Sequence, residues 1–363
     1  MDSVIQEYMD LNGSSSKSTR ATIQQGLKRL EKVLNKDFTK IKISDFTKPE
    51  EILDKITDLY SLNTTIGTII AIKQFLTFKK SKDSLIEQYR ELLNELIQER
   101  NKGSATQKFK SGEEDNWMDY EELKKKVIEN AGKYLNNKKS FTEYRNFLIL
   151  ALFTLIPPAR VGNYLDMVKK DNSIMKQKID SLPKKFNYIV KTGNTYTLIF
   201  NQYKTSKVLG KVKYEIKDTI LNKLIDRYLD KYNKNPKNRF FMINASGKPM
   251  TQTNFTNAQA SITKKLFDKK LTNNMFRRIF FTHFLSTNPS VEEKQEVLRI
   301  SGQNYKPSMV EKYDRKVSVE KEEDKDKNKK EQVKQTDIAK QHKKEIPKVA
   351  KEDSEIKYKS NRM

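Results

Sequence analysis

The spacing of apolar positions predicts three helices in the first hundred residues of the chain. Apolar side chains recur at intervals of three and four in residues 18–35, and the same period returns in residues 63–79 and 83–100. Residues 1–101 are therefore expected to form an all-helical module. Residues 102–116 are polar and have no apolar period, which is typical of a linker.

A second apolar pattern predicts the core of a larger domain over residues 117–317. Residues 147–156 are apolar on every side, as expected of a buried central helix. Two prolines end this helix, and a further helix is predicted over residues 159–170 because proline favours a first helical turn. Arg160 follows the most buried segment almost directly, so we do not expect it to be an ordinary solvated side chain.

Strand character follows over residues 186–217, which are rich in β-branched and aromatic residues. Turns at Gly193 and at Lys204 divide this stretch into three strands, which predicts a small antiparallel sheet. A further short strand is predicted over residues 239–244. The expected fold class is therefore mainly α with a small antiparallel β-sheet. Helices are predicted on both sides of the short strand, over residues 218–232 and 253–269.

Three short helices are predicted over residues 271–313. The first opens this stretch, the second begins at a capping box headed by Ser290, and the third carries Tyr313. Asn274 and Arg277 lie three positions apart on the first helix, so their side chains project from one face. Apolar side chains on the other faces anchor that helix, which makes the pair a polar spot on a buried element.

Charge is the feature of the composition that adds most to this picture. The chain has 72 lysine and arginine residues against 47 aspartate and glutamate residues, a formal net charge of +25. This excess favours a polyanionic partner, with nucleic acid as the leading candidate, although AT-biased codon usage is an alternative source of part of it. Residues 318–363 have few apolar residues and are predicted to be disordered or a loose charged helix without a catalytic role.

Cysteine and histidine usage limits the chemistry. The chain has no cysteine and two histidines, His283 and His342, which excludes a disulfide framework, a cysteine-ligated metal and a histidine-rich zinc site. His283 lies six positions after Arg277 and points to another face, which predicts a packing role. The first residues lack the pattern of a signal peptide, and the longest apolar stretch is about half a membrane span. We therefore expect an intracellular protein that is neither secreted nor bound to a membrane.

Residues near the C-terminus resemble the signature of the tyrosine recombinases, or integrases. The pattern of that family places a histidine three positions before an arginine, then a glycine followed by histidine or tryptophan, and then a nucleophilic tyrosine. Here Asn274 precedes Arg277, Gly302 precedes Gln303, and Tyr313 follows. The chain therefore keeps the arginine and the tyrosine and has amide side chains at the other two positions.

The resemblance implies a role for each matching residue. Arg160 and Arg277 would clamp the scissile phosphate with paired hydrogen bonds. Tyr313 would attack the phosphorus to form a 3′-phosphotyrosyl bond, and Lys204 would protonate the leaving 5′-oxygen. The first arginine and the hairpin lysine are identified from their order along the chain and from the helix and hairpin that carry them.

Several positions have alternatives. Asn274 and Gln303 would donate hydrogen bonds to phosphate, although amides cannot exchange protons near neutral pH. One extra residue separates Gln303 from the tyrosine, so Asn304 is the alternative counterpart of the second family histidine. Lys207 is the alternative general acid, and Tyr305 is the alternative nucleophile. Arg277 itself has a simpler alternative as a surface residue of an amphipathic helix.

The function implied by the resemblance is site-specific recombination or integration of double-stranded DNA, without a cofactor, by a homotetramer in the synaptic complex. The fold would be a helical core-binding domain, residues 1–101, and a mixed α/β tyrosine-recombinase catalytic domain, residues 117–317. The amide substitutions look most like recombinases of virophages, large DNA viruses and related mobile elements, which implies the host nucleus or a viral replication site. A type IB DNA topoisomerase and an inactive DNA-binding relative are the alternatives.

Overall fold

The structure, a computed structural model, describes residues 17–105, 114–170 and 176–303. The chain divides into two units, Met1–Phe109 and Lys110–Met363. Helices dominate the described part of both units, and a small sheet lies in the second. The predicted fold class, mainly α with a small sheet, is confirmed. None of the helices in these ranges has both the length and the apolarity that crossing a membrane requires.

The first unit is organised around one central helix. Its helices are α1 (Lys17–Leu34), α2 (Pro49–Thr57), α3 (Leu62–Phe78) and α4 (Asp83–Ala105). The other three helices pack against α3, which buries Ile69, Ile72 and Leu76 completely. The three predicted helices are confirmed, whereas α2 was missed although Pro49 at its first turn is a helix-start signal.

The second unit has eight α-helices in the described residues, and α6 is its centre. They are α5 (Tyr120–Asn136), α6 (Phe141–Thr154), α7 (Val161–Tyr164), α8 (Ser206–Leu209), α9 (Thr219–Arg227), α10 (Gln252–Phe267), α11 (Asn273–Ser286) and α12 (Val291–Ile300). Every residue of α6 from Tyr144 to Thr154 is buried, and α5, α9, α10 and α11 pack against it. The predicted central helix is therefore confirmed.

One sheet of four strands completes the second unit. Its strands are β1 (Val168–Lys170), β2 (Tyr188–Thr192), β3 (Thr195–Phe200) and β4 (Val212–Ile216), in that order across the sheet. The pairs β2–β3 and β3–β4 are antiparallel, as predicted. The expectation of a wholly antiparallel sheet is wrong because β1 lies parallel to β2. Parallel pairing joins segments that are distant in sequence, and local periodicity does not report it.

The predicted helix over residues 159–170 is wrong beyond its first turn. Only α7 is helical; Asp166 then adopts a left-handed conformation with φ of 55°, and the chain enters β1. The Val168 N–H donates to the Asn187 carbonyl at 2.8 Å, which is part of the pairing with the β2 segment. Tertiary pairing of this kind outweighs a weak helical preference.

The predicted strand over residues 239–244 is wrong as a regular strand. Two isolated β-bridges replace it, one between Val168 and Phe240 and one between Ile243 and Pro249. Gly247 lies in the turn between the last two residues with φ of 75°, a conformation that favours glycine. The Val168–Phe240 bridge extends the edge of the sheet beside β1 without a continuous ladder.

Candidate active site at the end of helix α12

The C-terminal turn of α12 is the point at which the predicted site residues meet. The helix begins at a capping box, in which Ser290 Oγ accepts from the Glu293 N–H at 3.1 Å and Glu293 Oε2 accepts from the Ser290 N–H at 2.7 Å. The predicted capping box is therefore confirmed. This cap determines where α12 starts and so contributes to where its last turn lies.

The end of α12 is a Schellman motif that requires glycine. Gly302 has φ of 68°, its N–H donates to the Arg299 carbonyl at 3.0 Å, and the Gln303 N–H donates to the Leu298 carbonyl at 2.8 Å. The carbonyl groups of Ser301 and Gly302 are not used inside the helix. They carry the partial negative charge of a helix C-terminus and attract cationic donors.

Arg277 is one of the donors at this turn. Its side chain is 5% exposed, and its Nη1 donates to the Ser301 carbonyl at 3.1 Å and to the Pro158 carbonyl at 2.8 Å. The buried face of α11, which includes Phe276 and Ile279, holds the residue in place. Arg277 is therefore a buried guanidinium, and the interpretation as a surface residue of an amphipathic helix is wrong.

Arg160 is the second donor. It immediately precedes α7 and is half-buried, and its Nη1 donates to the Gly302 carbonyl. Arg277 on α11 binds the Ser301 carbonyl and Arg160 before α7 binds the Gly302 carbonyl, so the two guanidinium groups converge on successive carbonyls. Each guanidinium has five N–H donors in a fixed fork, so one group can bind a carbonyl and an anion at the same time.

The predicted hairpin lysine lies in the connection between β3 and β4. Thr205 in this connection donates from Oγ1 to the Gly302 carbonyl at 2.9 Å, the same oxygen that Arg160 binds. Lys204 is the preceding residue and is exposed, while Lys207 is exposed on α8. Lys204 directly precedes Thr205 and Lys207 lies two positions after it, so both lysines belong to the connection that contacts the turn.

Asn187 is a positioning residue that the sequence did not reveal. Its Nδ2 donates to the Asn163 carbonyl at 2.9 Å and to the Gln202 carbonyl at 2.8 Å. Its Oδ1 accepts from the N–H groups of Asn201 and Gln202 at 2.8 and 2.7 Å. One buried amide thus joins α7, which follows Arg160, to the connection that carries Lys204.

Tyr203 packs against the same turn. A Cβ atom on Gly302 would lie 3.4 Å from the Tyr203 ring and 3.5 Å from Arg160 Nη1, which is ordinary van der Waals contact, so the requirement for glycine comes from the left-handed φ alone. The Tyr203 hydroxyl donates to the Gly210 carbonyl at 2.6 Å. Burial raises the pKa of Tyr203, while the charge of Arg299 acts in the opposite direction. Tyr203 therefore stays a neutral phenol, and its hydrogen bond joins the two ends of the segment that contains Lys204.

The other predicted site residues lie beside the α12 turn, on the exposed surface of α11 or outside the described residues. Gln303 is buried, at 2% exposure, directly after the glycine of the turn. Asn274 is exposed in the first turn of α11, and no hydrogen bond within the described residues joins it to Arg160 or Arg277. Tyr313 and the alternatives Asn304 and Tyr305 lie outside the described residues.

His283 lies elsewhere, as predicted. Its ring stacks on Tyr120 with centroids 4.6 Å apart, and its Nε2 is 3.1 Å from Glu121 Oε1. These contacts join α11 to α5, which confirms the packing role. Across the described ranges of the chain, no group of three or more histidine, aspartate and glutamate side chains is arranged to hold a metal ion.

Comparisons with known proteins complete the description. No family model and no curated protein matches the sequence. The chain is similar to the crystal structure of XerA recombinase, with 13% identity and a TM-score of 0.38, over 87% of this chain and 96% of that chain. It is also similar to the XerH site-specific recombinase bound to difH substrate, a pre-cleavage complex, with 16% identity and a TM-score of 0.49, over 81% of this chain and 74% of that chain. Likeness at this level assigns no role to any residue.

Substitution of the two glycines Gly302 and Gly132 should have opposite effects on stability. Gly302→Ala should lower the free energy of unfolding by about 1–2 kcal/mol, because a non-glycine residue is strained at this φ. Gly132 lies within α5 with no atom within 4 Å of an added Cβ, so Gly132→Ala should raise it by about 0.5–1 kcal/mol. Urea unfolding followed by fluorescence of Trp117, the single tryptophan, measures both. A Gly302→Ala protein as stable as the wild type would contradict the assigned turn.

Loss of the Asn187 side chain should loosen the connection that carries Lys204. In Asn187→Ala, amide hydrogen exchange at Asn201 and Gln202 should accelerate about tenfold or more, since leaving buried groups unpaired costs about 1–3 kcal/mol. Asn201→Ala is the matched control, because it removes only a side-chain bond to the Phe186 carbonyl. Its Gln202 amide should stay protected. Equal protection of Gln202 in the wild type and in Asn187→Ala would show that Asn187 does not hold the connection.

Proposed function

We propose that this chain is a site-specific DNA recombinase or integrase that cleaves and rejoins DNA through a 3′-phosphotyrosyl intermediate. One observation carries the proposal. Arg160 and Arg277, from distant parts of the sequence, bind successive carbonyls of one turn, and the connection with Lys204 binds the same turn through Thr205. This grouping supports the set of residues that the resemblance to tyrosine recombinases implies.

The two arginines stabilise the transition state. Attack on a phosphodiester spreads negative charge over the non-bridging oxygens, and preorganised donors that point to these oxygens lower the barrier. Guanidinium groups suit this task because their fork of donors matches phosphate oxygens and because they stay charged at any physiological pH. The hydrogen bonds to the α12 turn hold both groups in position before the DNA binds.

Tyr313 supplies the nucleophile. Its phenolic oxygen attacks the scissile phosphorus and forms a P–O bond, while the bond from phosphorus to the 5′-oxygen breaks. Lys204 gives its proton to that leaving oxygen, so the products are a 3′-phosphotyrosyl enzyme and a free 5′-hydroxyl. The reverse attack by a 5′-hydroxyl of the same or another strand rejoins DNA. The phosphodiester energy is kept in the tyrosyl ester, so the reaction needs no cofactor.

The amide residues assist by hydrogen bonding. Asn274 lies one turn before Arg277 on α11, and Gln303 follows the glycine of the α12 turn. Both side chains can donate to phosphate but cannot act as general bases near neutral pH. Activation of the tyrosine is therefore weaker than with the histidines of the family pattern, or it comes from another group.

The assembly follows from the reaction. Exchange of strands between two duplexes requires four cleavages, which a homotetramer supplies with one active site in each subunit. The formal charge of +25 supports binding to double-stranded DNA, where neutralised phosphates release counterions. We also propose that the helical module of residues 1–101 contributes to DNA binding and that the protein acts inside the cell, where its DNA lies.

Tyr313→Phe should abolish the covalent protein–DNA adduct and leave DNA affinity nearly unchanged, because only the nucleophilic oxygen is lost. The assay is an SDS-resistant adduct on a duplex selected for binding in vitro. Tyr305→Phe is the matched control and should form the adduct at the wild-type level. Adduct formation by Tyr313→Phe, with its loss in Tyr305→Phe, would transfer the role to Tyr305.

Strand exchange between two labelled duplexes separates the recombinase from its alternatives. The wild type should produce joined duplexes with both labels. Relaxation of supercoiled plasmid without exchange would instead indicate type IB topoisomerase chemistry. DNA binding with neither reaction would indicate an inactive relative.

Lys204→Ala should be slowed about 100-fold or more on a normal phosphodiester, the usual scale for loss of a general acid. It should be much less impaired on a bridging 5′-phosphorothiolate, because a thiolate leaves without a proton. Lys207→Ala, tested in parallel, should react like the wild type on both substrates. Equal defects of Lys204→Ala on both substrates would remove it as the general acid, and rescue of Lys207→Ala would give the role to its neighbour.

A further inference from the structure

A second concentration of positive charge lies in the second unit, apart from the candidate active site. Two adjoining depressions, of about 410 and 740 Å³, share Asp230 and Lys234 in their walls. We name them together the lysine groove. The smaller depression is lined by Lys169, Lys170, Lys191 and Lys234, and the larger by Lys223, Arg227, Lys231 and Lys234.

The lysine groove lies toward the other end of the sheet from the candidate site. Asn187, which binds the connection of Lys204, directly precedes β2, whereas Lys191 lies near the far end of β2, beside the turn at Gly193. Asn187 and Lys191 are four positions apart along the strand, a distance of about 13 Å. Because β1 runs parallel to β2, Lys170 at its end pairs with Val190 and lies toward this far end as well.

Few carboxylates neutralise the groove. Asp226 accepts from Lys191 Nζ at 2.5 Å and from the Tyr196 hydroxyl at 2.6 Å, so this charge is already paired. Asp230 is the other carboxylate of the lining. Within the described ranges, Lys170, Lys223 and Lys234 are exposed and form no ion pair with any carboxylate. The groove therefore has a clear excess of positive charge.

Two cations of the lining are held in fixed positions. Lys169 Nζ is bound by the carbonyl and the side-chain Oδ1 of Asn233, so its charge is oriented but not neutralised. Arg227 donates from Nη2 to the Asn137 carbonyl at 3.5 Å, while its buried Nε has no hydrogen-bond partner among the described residues. No carboxylate within the described residues forms an ion pair with Arg227, so its charge adds to the positive excess of the groove.

The arrangement fits a linear polyanion better than a small one. Lys223 and Lys231 are eight residues apart on α9 and its π-helical continuation, Tyr228–Tyr232, which corresponds to about 12 Å along a helix. One strand of DNA carries three to four phosphates over about this axial distance. A small ligand would instead need convergent donors in an enclosed pocket. Exposed lysines are flexible point charges, which suit a backbone contact without sequence preference.

We propose that the lysine groove binds the phosphodiester backbone of duplex DNA as a contact separate from the candidate active site. The inference rests on the proposed function only for the choice of duplex DNA as the nucleic acid. While the candidate active site cuts one segment of DNA, the lysine groove would hold a further segment. The groove would raise the affinity for DNA and would not take part in cleavage.

The salt dependence of DNA binding by the full-length protein tests this proposal. The triple variant Lys170→Gln, Lys223→Gln, Lys234→Gln removes three groove charges. The matched control, Lys125→Gln, Lys248→Gln, Lys270→Gln, removes three exposed charges of the same unit that line neither depression. Each lost phosphate contact lowers the slope of log K against log salt by about 0.9. The groove variant should therefore lose about 2–3 units of slope, and the control less than one.

Lysine acetylation with and without duplex gives a second measurement that needs no variant. The duplex should protect Lys170, Lys223 and Lys234 in the wild type, while Lys125 and Lys248 stay reactive. Equal slopes for the two triple variants, together with unprotected groove lysines, would overturn the proposal. Displacement of the duplex by inorganic phosphate at constant ionic strength, absent in the groove variant, would assign the groove to small phosphates and also overturn it.

Adduct formation separates this inference from the proposed function. On a short duplex at saturating concentration, the groove variant should form the covalent adduct as the wild type does. If the wild type forms the adduct and both triple variants bind alike, the groove proposal alone fails. If the groove variant alone loses salt-dependent affinity and no protein forms an adduct, the groove proposal stands and the recombinase proposal fails.

Discussion

Hydrogen bonds between two guanidinium groups and the carbonyls that end α12 are the interaction on which the candidate site depends. A helix end leaves carbonyls without partners in the helix, and cations are the favoured donors to them. The left-handed Gly302 turns the chain so that the Ser301 and Gly302 carbonyls both remain accessible to side chains. A residue with a side chain at that position would strain the turn, because its φ is 68°.

The core of the unit delivers the two arginines to this turn. The buried helix α6 leads directly to Pro158, whose carbonyl binds Arg277, and then to Arg160. The aromatic face of α11 packs against α6 and fixes the direction of Arg277. Charge placement in the site is therefore a consequence of apolar packing. Mutations in this core are expected to affect both stability and the positions of the two guanidinium groups.

Local signals in the sequence were sufficient for much of this architecture. The apolar period predicted α1, α3 and α4, the continuous apolar run predicted α6, and the capping box at Ser290 marked the start of α12. The order of Arg160, Lys204 and Arg277 along the chain indicated which polar residues to follow. These features depend on neighbours a few residues apart, so one sequence is enough to reveal them.

Features that depend on distant partners were not predictable in this way. The helix predicted over residues 159–170 gives way to β1 because Val168 pairs with a segment twenty residues further along the chain. The amide of Asn187 has no local signature, since its four hydrogen bonds are to three residues in two other segments. The lysine groove was not predictable for the same reason, because its charges come from two strands and from a helix and a turn that are distant from them in sequence. Lysine is also common throughout the chain, so no single lysine stands out.

The central claim is that Arg160 and Arg277 serve the scissile phosphate as well as the α12 turn, and a charge-neutral substrate tests it most directly. Replacing one non-bridging oxygen of that phosphate with a methyl group removes the negative charge that the guanidiniums stabilise. On the normal phosphate, Arg160→Ala and Arg277→Ala should each slow single-turnover cleavage about 100-fold or more. On the methylphosphonate, each defect should shrink at least about tenfold relative to the wild type on the same substrate. Defects of equal size on both substrates would show that the arginines only hold the turn, which would contradict the claim.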